Sequence, residues 1–390
     1  MVETNLKTIC ALPFTHLATH PNGLVSPCCI ANFENGVCFS KTNNKVLTLG
    51  QDTVDGIMNS DSFTEIRRKM LNNERPIECI GCYKVEDNGL KSKRIEENTK
   101  YLHKITLNES LPNIQLKFIE LRLGNVCNIK CLTCNPMSSS KWIEDVKKFT
   151  EVIDKDHYNY EDYKSNWFKD TKWYDELLGH SDELEEIYIN GGEPTLIKEH
   201  FYFLEKLIEL DRAKNISLIY NINCTNLPDK FLELLRKFKH VKLQLSIDDV
   251  EERNHYVRYP SNWETVFSNY NKLNEEKFEI TITQTVSILN ICNVGNFRNF
   301  FKKEQIDYNF VYSPNYLHVS NLQSELKEIA LQQIEMLNQQ DRGRFYYELD
   351  SKPYDDEMSK KSLRFITMMD TIRGLNIKTY LKEYENCNLF

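Results

Sequence analysis

The sequence lacks any long apolar run. No stretch approaches the roughly 20 consecutive apolar residues that a membrane-spanning helix needs. The first residues, Met1 to Leu12, also lack the basic-then-apolar pattern of a secretion signal. These absences argue against a membrane protein and against a secreted one, so we expect the protein to reside in the cytoplasm.

An excess of basic residues is missing as well. The 390 residues carry a formal net charge of -8, whereas a broad nucleic-acid footprint needs a concentrated basic surface. The charge therefore argues against nucleic acid as a partner, although it is compatible with a local basic groove. A hydrophobic content of 41% over this length is enough for one large domain and one smaller attachment.

Cysteine is present in quantity, with 12 residues. In a long chain without a secretion signal, clustered cysteines more often bind metal than form disulfides. Cys127, Cys131 and Cys134 form a C-x3-C-x2-C pattern directly after an apolar run. Three local thiols can hold one face of an iron-sulfur cube and leave the fourth iron open for chemistry. The alternatives are a zinc site with a distant fourth ligand, or three buried thiols that act as small apolar groups.

A second motif, Gly191-Gly192-Glu193-Pro194, follows another apolar run. In their order and in their places at the ends of successive strands, the two motifs resemble those of the radical S-adenosylmethionine (radical SAM) enzymes. The resemblance covers about residues 115 to 320. It implies that the three cysteines hold a 4Fe-4S cluster at the catalytic centre, and that S-adenosylmethionine is the second cofactor.

Apolar, β-rich runs alternate with helical patterns such as Leu196 to Leu210 and Pro228 to Phe238. Strand followed by helix, repeated, predicts an α/β fold with parallel strands and right-handed crossovers. Six such units fit the partial (β/α)6 barrel of radical SAM enzymes, in which the motifs lie at the C-terminal ends of the strands. The runs are 115–123, 185–190, 216–222, 241–247, 278–287 and 307–312.

The resemblance assigns further residues to S-adenosylmethionine. It places the ammonium group of the cofactor at the segment from Gly191 to Pro194, where glycine allows a ligand to approach the backbone closely. It places Ser246 near the ribose or carboxylate, and Arg258 as a clamp on the carboxylate, a role that suits a planar guanidinium. The alternative for Arg258 is an exposed ion pair.

Three other residues are candidates for the same pocket. Asn223 and Asp248 follow strands, and we expect them either to line the pocket or to cap helices. Radical SAM enzymes often carry an aromatic or bulky apolar residue just before the third cysteine, where this chain has Thr133. Tyr312, at the end of the sixth strand, is therefore a candidate for the adenine contact, or else an ordinary core or rim residue.

A second set of cysteines lies in the first hundred residues. Pro21-Asn22-Gly23 predicts a turn between two extended runs, and the resulting hairpin would bring Cys10 and Cys28 together. Cys79 and Cys82 form a C-x2-C pair before a helix. Four thiolates suit either a fully ligated iron-sulfur cluster or a structural zinc.

The pattern C-x12-G-x4-C at Cys10, Gly23 and Cys28, followed by the C-x2-C pair, resembles the SPASM and twitch modules of radical SAM enzymes. It implies one auxiliary cluster of the 4Fe-4S type on the same four cysteines. In most such enzymes this module follows the barrel, whereas here it precedes the barrel. Cys29 is expected to point away, because neighbouring side chains on an extended segment face opposite sides, but it remains an alternative to Cys28. Cys38 is expected to be an apolar filler.

These patterns divide the chain into three predicted parts. Residues 1–110 are the auxiliary-cluster module with a charged linker, residues 111–320 are the barrel, and residues 321–390 are a helical C-terminal extension. Helical patterns at Leu322 to Leu337 and Lys360 to Ile372 indicate the extension. The aromatic residues of an insertion between Asp145 and His180 predict either buried helix faces or a surface that stacks nucleobases.

The motifs together predict an enzyme that cleaves S-adenosylmethionine reductively to a 5'-deoxyadenosyl radical, which abstracts hydrogen from a substrate. Resemblance to the auxiliary-cluster subgroup implies a peptide or protein side chain as substrate, and a reductant protein such as flavodoxin or ferredoxin as partner. The alternative is a nucleotide, a sugar or another small metabolite, because nothing in the chain looks like a dedicated peptide-recognition domain. A noncatalytic iron-sulfur or zinc protein is the third hypothesis.

Overall fold

The structure is a computed structural model that describes residues 7–32, 39–105, 114–151, 153–154, 156–160, 166–276 and 278–385. The expectation for Cys38 lies outside these residues, as does part of the insertion. The chain forms two compact units. The first unit comprises Met1–Gly124, Asp162–Tyr220 and Asp229–Val241, and the second comprises Asn125–Glu161, Asn221–Pro228 and Lys242–Phe390. The predicted boundaries at 110 and 320 stay a prediction. Each compact unit contains several separate parts of the chain, whereas the predicted parts are continuous.

The strands of the described residues confirm all six predicted β-runs, with ends that differ by a few residues. In chain order the strands are β1 (His16–Thr19), β2 (Val25–Ser26), β3 (Lys41–Thr42), β4 (Lys45–Val46), β5 (Phe118–Leu123), β6 (Glu186–Gly191), β7 (Ser217–Ile222), β8 (His240–Ser246), β9 (Glu279–Val286) and β10 (Gln305–Phe310).

Helices separate these strands, as the alternating pattern predicts. They are α1 (Leu12–Thr15), α2 (Val54–Met58), α3 (Asp61–Leu71), α4 (Ile80–Asp87), α5 (Lys93–Tyr101), α6 (Trp142–Val146), α7 (Lys172–Gly179), α8 (Glu199–Glu209), α9 (Asp229–Leu235), α10 (Glu251–Val257), α11 (Trp263–Glu275), α12 (Val294–Phe300), α13 (Ser324–Ile334), α14 (Gln339–Asp350), α15 (Asp356–Arg373) and α16 (Ile377–Tyr380).

Several helices begin where a polar side chain satisfies a free amide of the first turn, which is the usual role of an N-cap residue. Ser60 accepts a hydrogen bond from the first turn of α3, Asn262 from that of α11 and Asp355 from that of α15. Helix α15 ends at Gly374, whose left-handed φ of 65° is the conformation that glycine adopts most easily after a helix.

In the first unit the strands run in the order β2-β1-β5-β6-β7. Strands β1 and β2 form the predicted antiparallel hairpin, in which Ala18 pairs with Ser26. Strand β1 also pairs in parallel with β5, and β5, β6 and β7 continue the parallel sheet. The hairpin turns at Gly23, whose φ of 87° is costly for any residue with a Cβ.

The pleat of β5 and β6 separates an apolar face from a polar one. Leu121 pairs with Ile189, and both side chains are fully buried. On the other face Glu120 pairs with Tyr188, and the Glu120 carboxylate accepts a hydrogen bond from Asn190 Nδ2 at 3.3 Å. Alternate positions of the two strands thus carry apolar side chains on one face and polar side chains on the other.

In the second unit the strands β8, β9 and β10 are parallel neighbours. The core of this unit contains buried side chains from α13, α14 and α15 together with residues of β9 and β10. Ile334, Phe345 and Phe365 are examples, each with no exposed surface. The predicted helical C-terminal segment is therefore confirmed, and it supplies a large part of this core.

The described residues of the insertion bear out the expectation of burial. Tyr158, Phe168, Trp173 and Tyr174 are each exposed by 4% or less. Tyr158 belongs to the core of the second unit, where its hydroxyl is hydrogen-bonded to that of Tyr316 at 2.8 Å. Among the helices of the described residues, none has the length and the apolar character to cross a membrane.

Gly191 supplies a test of the close packing at the end of β6. Its φ is 145°, and a Cβ at this position would lie 3.0 Å from backbone atoms of Leu123. Because backbone cannot move aside as a side chain can, we expect Gly191→Ala to lower the free energy of unfolding by about 1–3 kcal/mol. Urea unfolding followed by circular dichroism measures this change.

The control for this prediction is Gly179→Ala in α7, where a Cβ would meet nothing within 4 Å. Alanine has the higher helix propensity, so we expect this variant to be at least as stable as the parent, by up to about 1 kcal/mol. If the two variants unfold at the same midpoint concentration of urea, the close packing described for Gly191 is wrong.

Candidate metal centres and cofactor site

The three motif cysteines come together in the second unit. Cys127 and Cys131 are each exposed by 8%, and they form a small buried cluster with Ile129, against which Cys134 packs. Burial raises the pKa of the Cys131 thiol, the guanidinium of Arg258 opposes this rise, and the thiols of Cys134 and Cys127 add to it. The three cysteines are therefore neighbours in the structure, and their role as ligands of one cluster stays a prediction.

The backbone of the loop from Ile129 to Leu132 is held by other residues of the second unit. Buried backbone groups are costly when unpaired, so these bonds fix the positions of the cysteines between them. The carbonyl groups accept hydrogen bonds from side chains, and the amides donate to backbone carbonyl groups. The pairs are Ser139 Oγ to Ile129 O (2.6 Å), Trp142 Nε1 to Cys131 O (3.0 Å), Lys130 N to Tyr259 O (2.6 Å) and Leu132 N to Val257 O (2.8 Å).

The last two of these bonds place Arg258 beside the cysteine loop. Arg258 is exposed by only 8%, and its Nη1 donates to Asp248 Oδ2 at 2.9 Å. The other oxygen of this carboxylate, Asp248 Oδ1, accepts from the amide of Thr285 at 2.7 Å. The ion pair predicted as the alternative for Arg258 is therefore present, but it is buried next to Cys131 instead of exposed. Asp248 uses its carboxylate to hold Arg258 and strand β9.

Asn223 lies next to the first cysteine. Its Nδ2 is 3.8 Å from Cys127 Sγ and donates to Asn128 Oδ1 at 2.9 Å. Thr225 completes a ring of hydrogen bonds, because it donates to Asn223 Oδ1 and accepts from Asn128 Nδ2. The sequence pattern did not indicate Asn128 or Thr225 as residues of the site. For Asn128 a signal existed, because this residue lies between two cysteines of the motif.

The Gly191 to Pro194 segment lies in the first unit, at the end of β6. The Glu193 carboxylate is 1% exposed and accepts from the amide of Thr195 at 3.1 Å and from its hydroxyl at 2.7 Å. This side chain caps the short 3-10 turn Pro194–Leu196. The segment is thus built as a rigid turn after two glycines, and its role in holding the ammonium group stays a prediction.

Ser246 and Tyr312 complete the predicted set. Ser246 is the last residue of β8 and pairs with Thr283. The ring of Tyr312 is 58% exposed and stacks on His318, and its hydroxyl donates to Glu348 at 2.5 Å. Tyr312 thus contacts Glu348 of α14 and His318. The role of Tyr312 as an adenine contact stays a prediction.

The four cysteines of the predicted auxiliary site lie together in the first unit. Burial, together with the neighbouring thiols of Cys10 and Cys82, raises the pKa of the Cys28 thiol to about 12. Burial is also the main cause of the raised pKa of Cys79, followed by Cys10 and Cys28. Each of the four thiols therefore lies within electrostatic range of the others.

Cys29 faces a different environment from Cys28. Burial raises the pKa of the Cys29 thiol, and the next largest contribution is the Glu120 carboxylate on β5, opposed by Lys93. The two residues lie in a bend and turn after β2, where the amide of Ala31 donates to Cys28 O at 3.3 Å, and not in the extended segment that the sequence predicts. Cys28 therefore faces the other cysteines, whereas Cys29 faces the polar side of β5.

Neither set of cysteines forms a finished metal site in this structure. Within the described ranges, no group of three or more histidine, cysteine, aspartate or glutamate side chains is arranged to hold a metal ion. The donor sets nevertheless fit iron-sulfur clusters in chemistry and number, with three neighbouring cysteines in one place and four in the other.

Two family models match the chain. The model of the radical SAM superfamily matches residues 121–292, a range that contains the cysteine loop, the Gly191 to Pro194 segment and Arg258. This range of the chain is therefore similar to the radical SAM superfamily. The SPASM model, described as an iron-sulfur cluster-binding domain, matches residues 10–83, which include all four cysteines of the predicted auxiliary site. The resemblance inferred from the motifs is therefore confirmed, including the unusual place of the SPASM domain before the radical SAM domain.

Solved structures of two proteins match the chain, among others. Native anSMEcpe with bound AdoMet shares 19% identity over 59% of this chain and 61% of its own, with a TM-score of 0.39. Streptococcus suis SuiB bound to S-adenosylmethionine shares 17% identity over 70% of this chain and 59% of its own, with a TM-score of 0.38. The match thus spans about three fifths of the length of each of these proteins. No match is found among the curated proteins.

The different environments of Cys28 and Cys29 give a direct test. We expect Cys28→Ala to lose the auxiliary cluster, because a cube needs this thiolate as its fourth ligand. Cys29→Ala should keep it, because its thiol faces Glu120. Iron and sulfide analysis after anaerobic reconstitution measures the difference, which should be about four irons per chain for a cube. Loss of iron from Cys29→Ala alone would reverse the assignment.

Proposed function

We propose that this protein is an enzyme that cleaves S-adenosylmethionine reductively at a 4Fe-4S cluster on Cys127, Cys131 and Cys134. The observation that carries the proposal is the packing of Cys127, Cys131 and Cys134 in one small cluster beside the guanidinium of Arg258. A cube held by three thiolates has one iron free to bind the amino acid part of S-adenosylmethionine, and the bound cluster supplies the electron that breaks the carbon-sulfur bond.

The residues around the cysteines would bind the cofactor and orient it. Asn223 Nδ2 lies within hydrogen-bonding distance of the sulfur of Cys127, and hydrogen bonds to cluster sulfurs tune the reduction potential. Asp248 holds Arg258 in place, so that the positive charge is fixed before a ligand arrives. Arg258 then suits the carboxylate of the cofactor, and its burial strengthens that attraction.

We assign the auxiliary cluster to Cys10, Cys28, Cys79 and Cys82. The mutual effects of these thiols on pKa and the match to an iron-sulfur cluster-binding domain support the assignment. Four thiolates also suit zinc, so metal analysis of the purified protein decides between the two. Such a cluster can relay electrons, accept the electron left on an oxidised substrate, or bind the substrate directly.

A peptide or protein side chain is the substrate class that we propose. The SPASM domain supports it, because this class of auxiliary module accompanies peptide modification. The polar face of β5 and β6 in the first unit supplies hydrogen-bonding groups for such a substrate. Asn190 Oδ1 on that face is buried without a hydrogen-bond partner among the described residues and would accept from a peptide amide.

The reaction needs an electron donor. A small reductant protein of the flavodoxin or ferredoxin type is the proposed partner, because the cluster must be reduced once for each bond cleavage. Low-potential clusters and free thiols are preserved in a reducing compartment, which favours the cytoplasm as the place of action.

Anaerobic reconstitution tests the function directly. The protein with S-adenosylmethionine and a strong reductant should form 5'-deoxyadenosine and methionine, detected by chromatography and mass spectrometry. A Cys127→Ala, Cys131→Ala, Cys134→Ala triple variant should form none and should retain about four irons at the auxiliary site. A fully loaded parent protein that forms no 5'-deoxyadenosine would favour a noncatalytic iron-sulfur protein.

The role of Arg258 gives a second measurement. Arg258→Lys keeps the charge but loses the planar fork, so we expect the Kd for S-adenosylmethionine to rise about tenfold, which corresponds to about 1.4 kcal/mol. Equilibrium binding to the reconstituted protein measures it, with iron content as the check that the cluster is intact. Lys272→Arg in α11 is the matched control, and an unchanged Kd for Arg258→Lys would contradict the assignment.

A further inference from the structure

A buried group of three charges joins the cysteine loop to helix α15 in the second unit. Lys130 Nζ donates to Asp145 Oδ1 at 2.6 Å, and Arg373 Nε donates to Asp145 Oδ2 at 2.9 Å. The side chains of Asp145 and Arg373 are each 1% exposed, and that of Lys130 is 12% exposed. We call these residues the charge triad.

Arg373 also contacts the loop itself. Its Nη2 donates to the carbonyl oxygen of Lys130 at 2.7 Å, and this carbonyl belongs to the peptide bond that leads into Cys131. Because a peptide bond is planar, the hydrogen bond fixes the orientation of that whole unit. The second cysteine of the motif is thus held from helix α15.

The guanidinium of Arg373 lies between two aromatic rings. Its central carbon is 5.0 Å from the ring centre of Trp142 and 5.2 Å from that of Tyr259. Both aromatic residues also bond to the loop, Trp142 to the carbonyl of Cys131 and Tyr259 to the amide of Lys130. Arg373 Nη1 is buried with no hydrogen-bond acceptor in the described part of the chain, and the rings compensate for this only in part.

The triad has more positive than negative charge. Within the triad two cations share the Asp145 carboxylate. Two carboxylates outside the triad add negative charge, because Glu144 Oε2 lies 3.7 Å from Lys130 Nζ and Asp370 interacts electrostatically with Arg373. The buried guanidinium of Arg373 is the positive group that bonds to the loop itself, so it would attract an anionic cluster of iron and sulfide on the three thiolates.

We propose that Arg373 is a positioning residue for the proposed cluster on Cys127, Cys131 and Cys134. It orients the peptide between Lys130 and Cys131, and its charge makes the cluster easier to reduce. The inference rests on the proposed function, since it concerns the same cluster. The sign follows from electrostatics: the reduced cluster carries one more negative charge than the oxidised one, so a nearby positive charge stabilises the reduced form.

Arg373→Gln removes the charge and keeps much of the shape. At a fixed potential we expect the ratio of reduced to oxidised cluster to fall about tenfold, which equals 59 mV for a one-electron couple. The measurement is a redox titration of the reconstituted full-length protein, followed by electron paramagnetic resonance. The relevant signal is the one that changes when S-adenosylmethionine is added, and the signal of the auxiliary cluster is the internal reference.

Three further variants separate charge from geometry. Arg364→Gln, on the exposed side of the same helix, is the matched control and should leave the potential unchanged. Arg373→Lys keeps the charge but loses the fork, so the potential should stay near that of the parent while iron is lost faster to a chelator. Asp145→Asn removes the one negative charge of the triad, so the potential should shift in the positive direction.

The outcomes are distinct. If Arg373→Gln and Arg364→Gln give the same potential and the same rate of iron loss, the inference is wrong. If Arg373→Gln does not fold, the Asp145→Asn variant decides. A reduction potential equal to or lower than that of the parent protein would then overturn the inference. If the parent protein itself binds no iron at the three cysteines, the proposed function fails, and this result is read from iron content before any titration.

Discussion

The packing of three cysteines on one irregular, largely buried loop is the constraint on which the candidate site depends. An irregular segment in a protein interior must find partners for its backbone groups, because it has no helix or strand to supply them. Here Ser139, Trp142 and the chain around Tyr259 provide those partners. The loop can therefore keep its sulfurs together without a regular element, and residues that touch no cofactor have a direct effect on the site.

Two carboxylates buried in the second unit have similar tasks. Asp248 holds Arg258 on one side of the cysteine loop, and Asp145 holds Lys130 and Arg373. Each carboxylate fixes a cation close to thiols that become anionic when they bind iron. Buried charges of this kind contribute little to stability by themselves. The cations that they hold would attract an anionic cluster and its bound cofactor.

The first unit uses the geometry of a short turn after a hairpin instead. In this turn after β2, Cys28 lies near the thiols of Cys10 and Cys82, whereas Cys29 lies near Glu120 on β5. Two adjacent cysteines thus take different environments. One joins a group of four thiols, and the other lies at the polar face of the sheet.

The sequence by itself determined the elements and the motifs. Strand and helix periodicity, the turn at Gly23 and the cysteine spacings are local patterns, and each of them appears in the structure where it was predicted. Only the tertiary structure decided which distant residues support the motifs. Asn223 is 96 positions from Cys127, and Arg373 is 228 positions from Asp145. No local pattern specifies such pairs, because they arise when separate helices and strands pack and bring their side chains to one place.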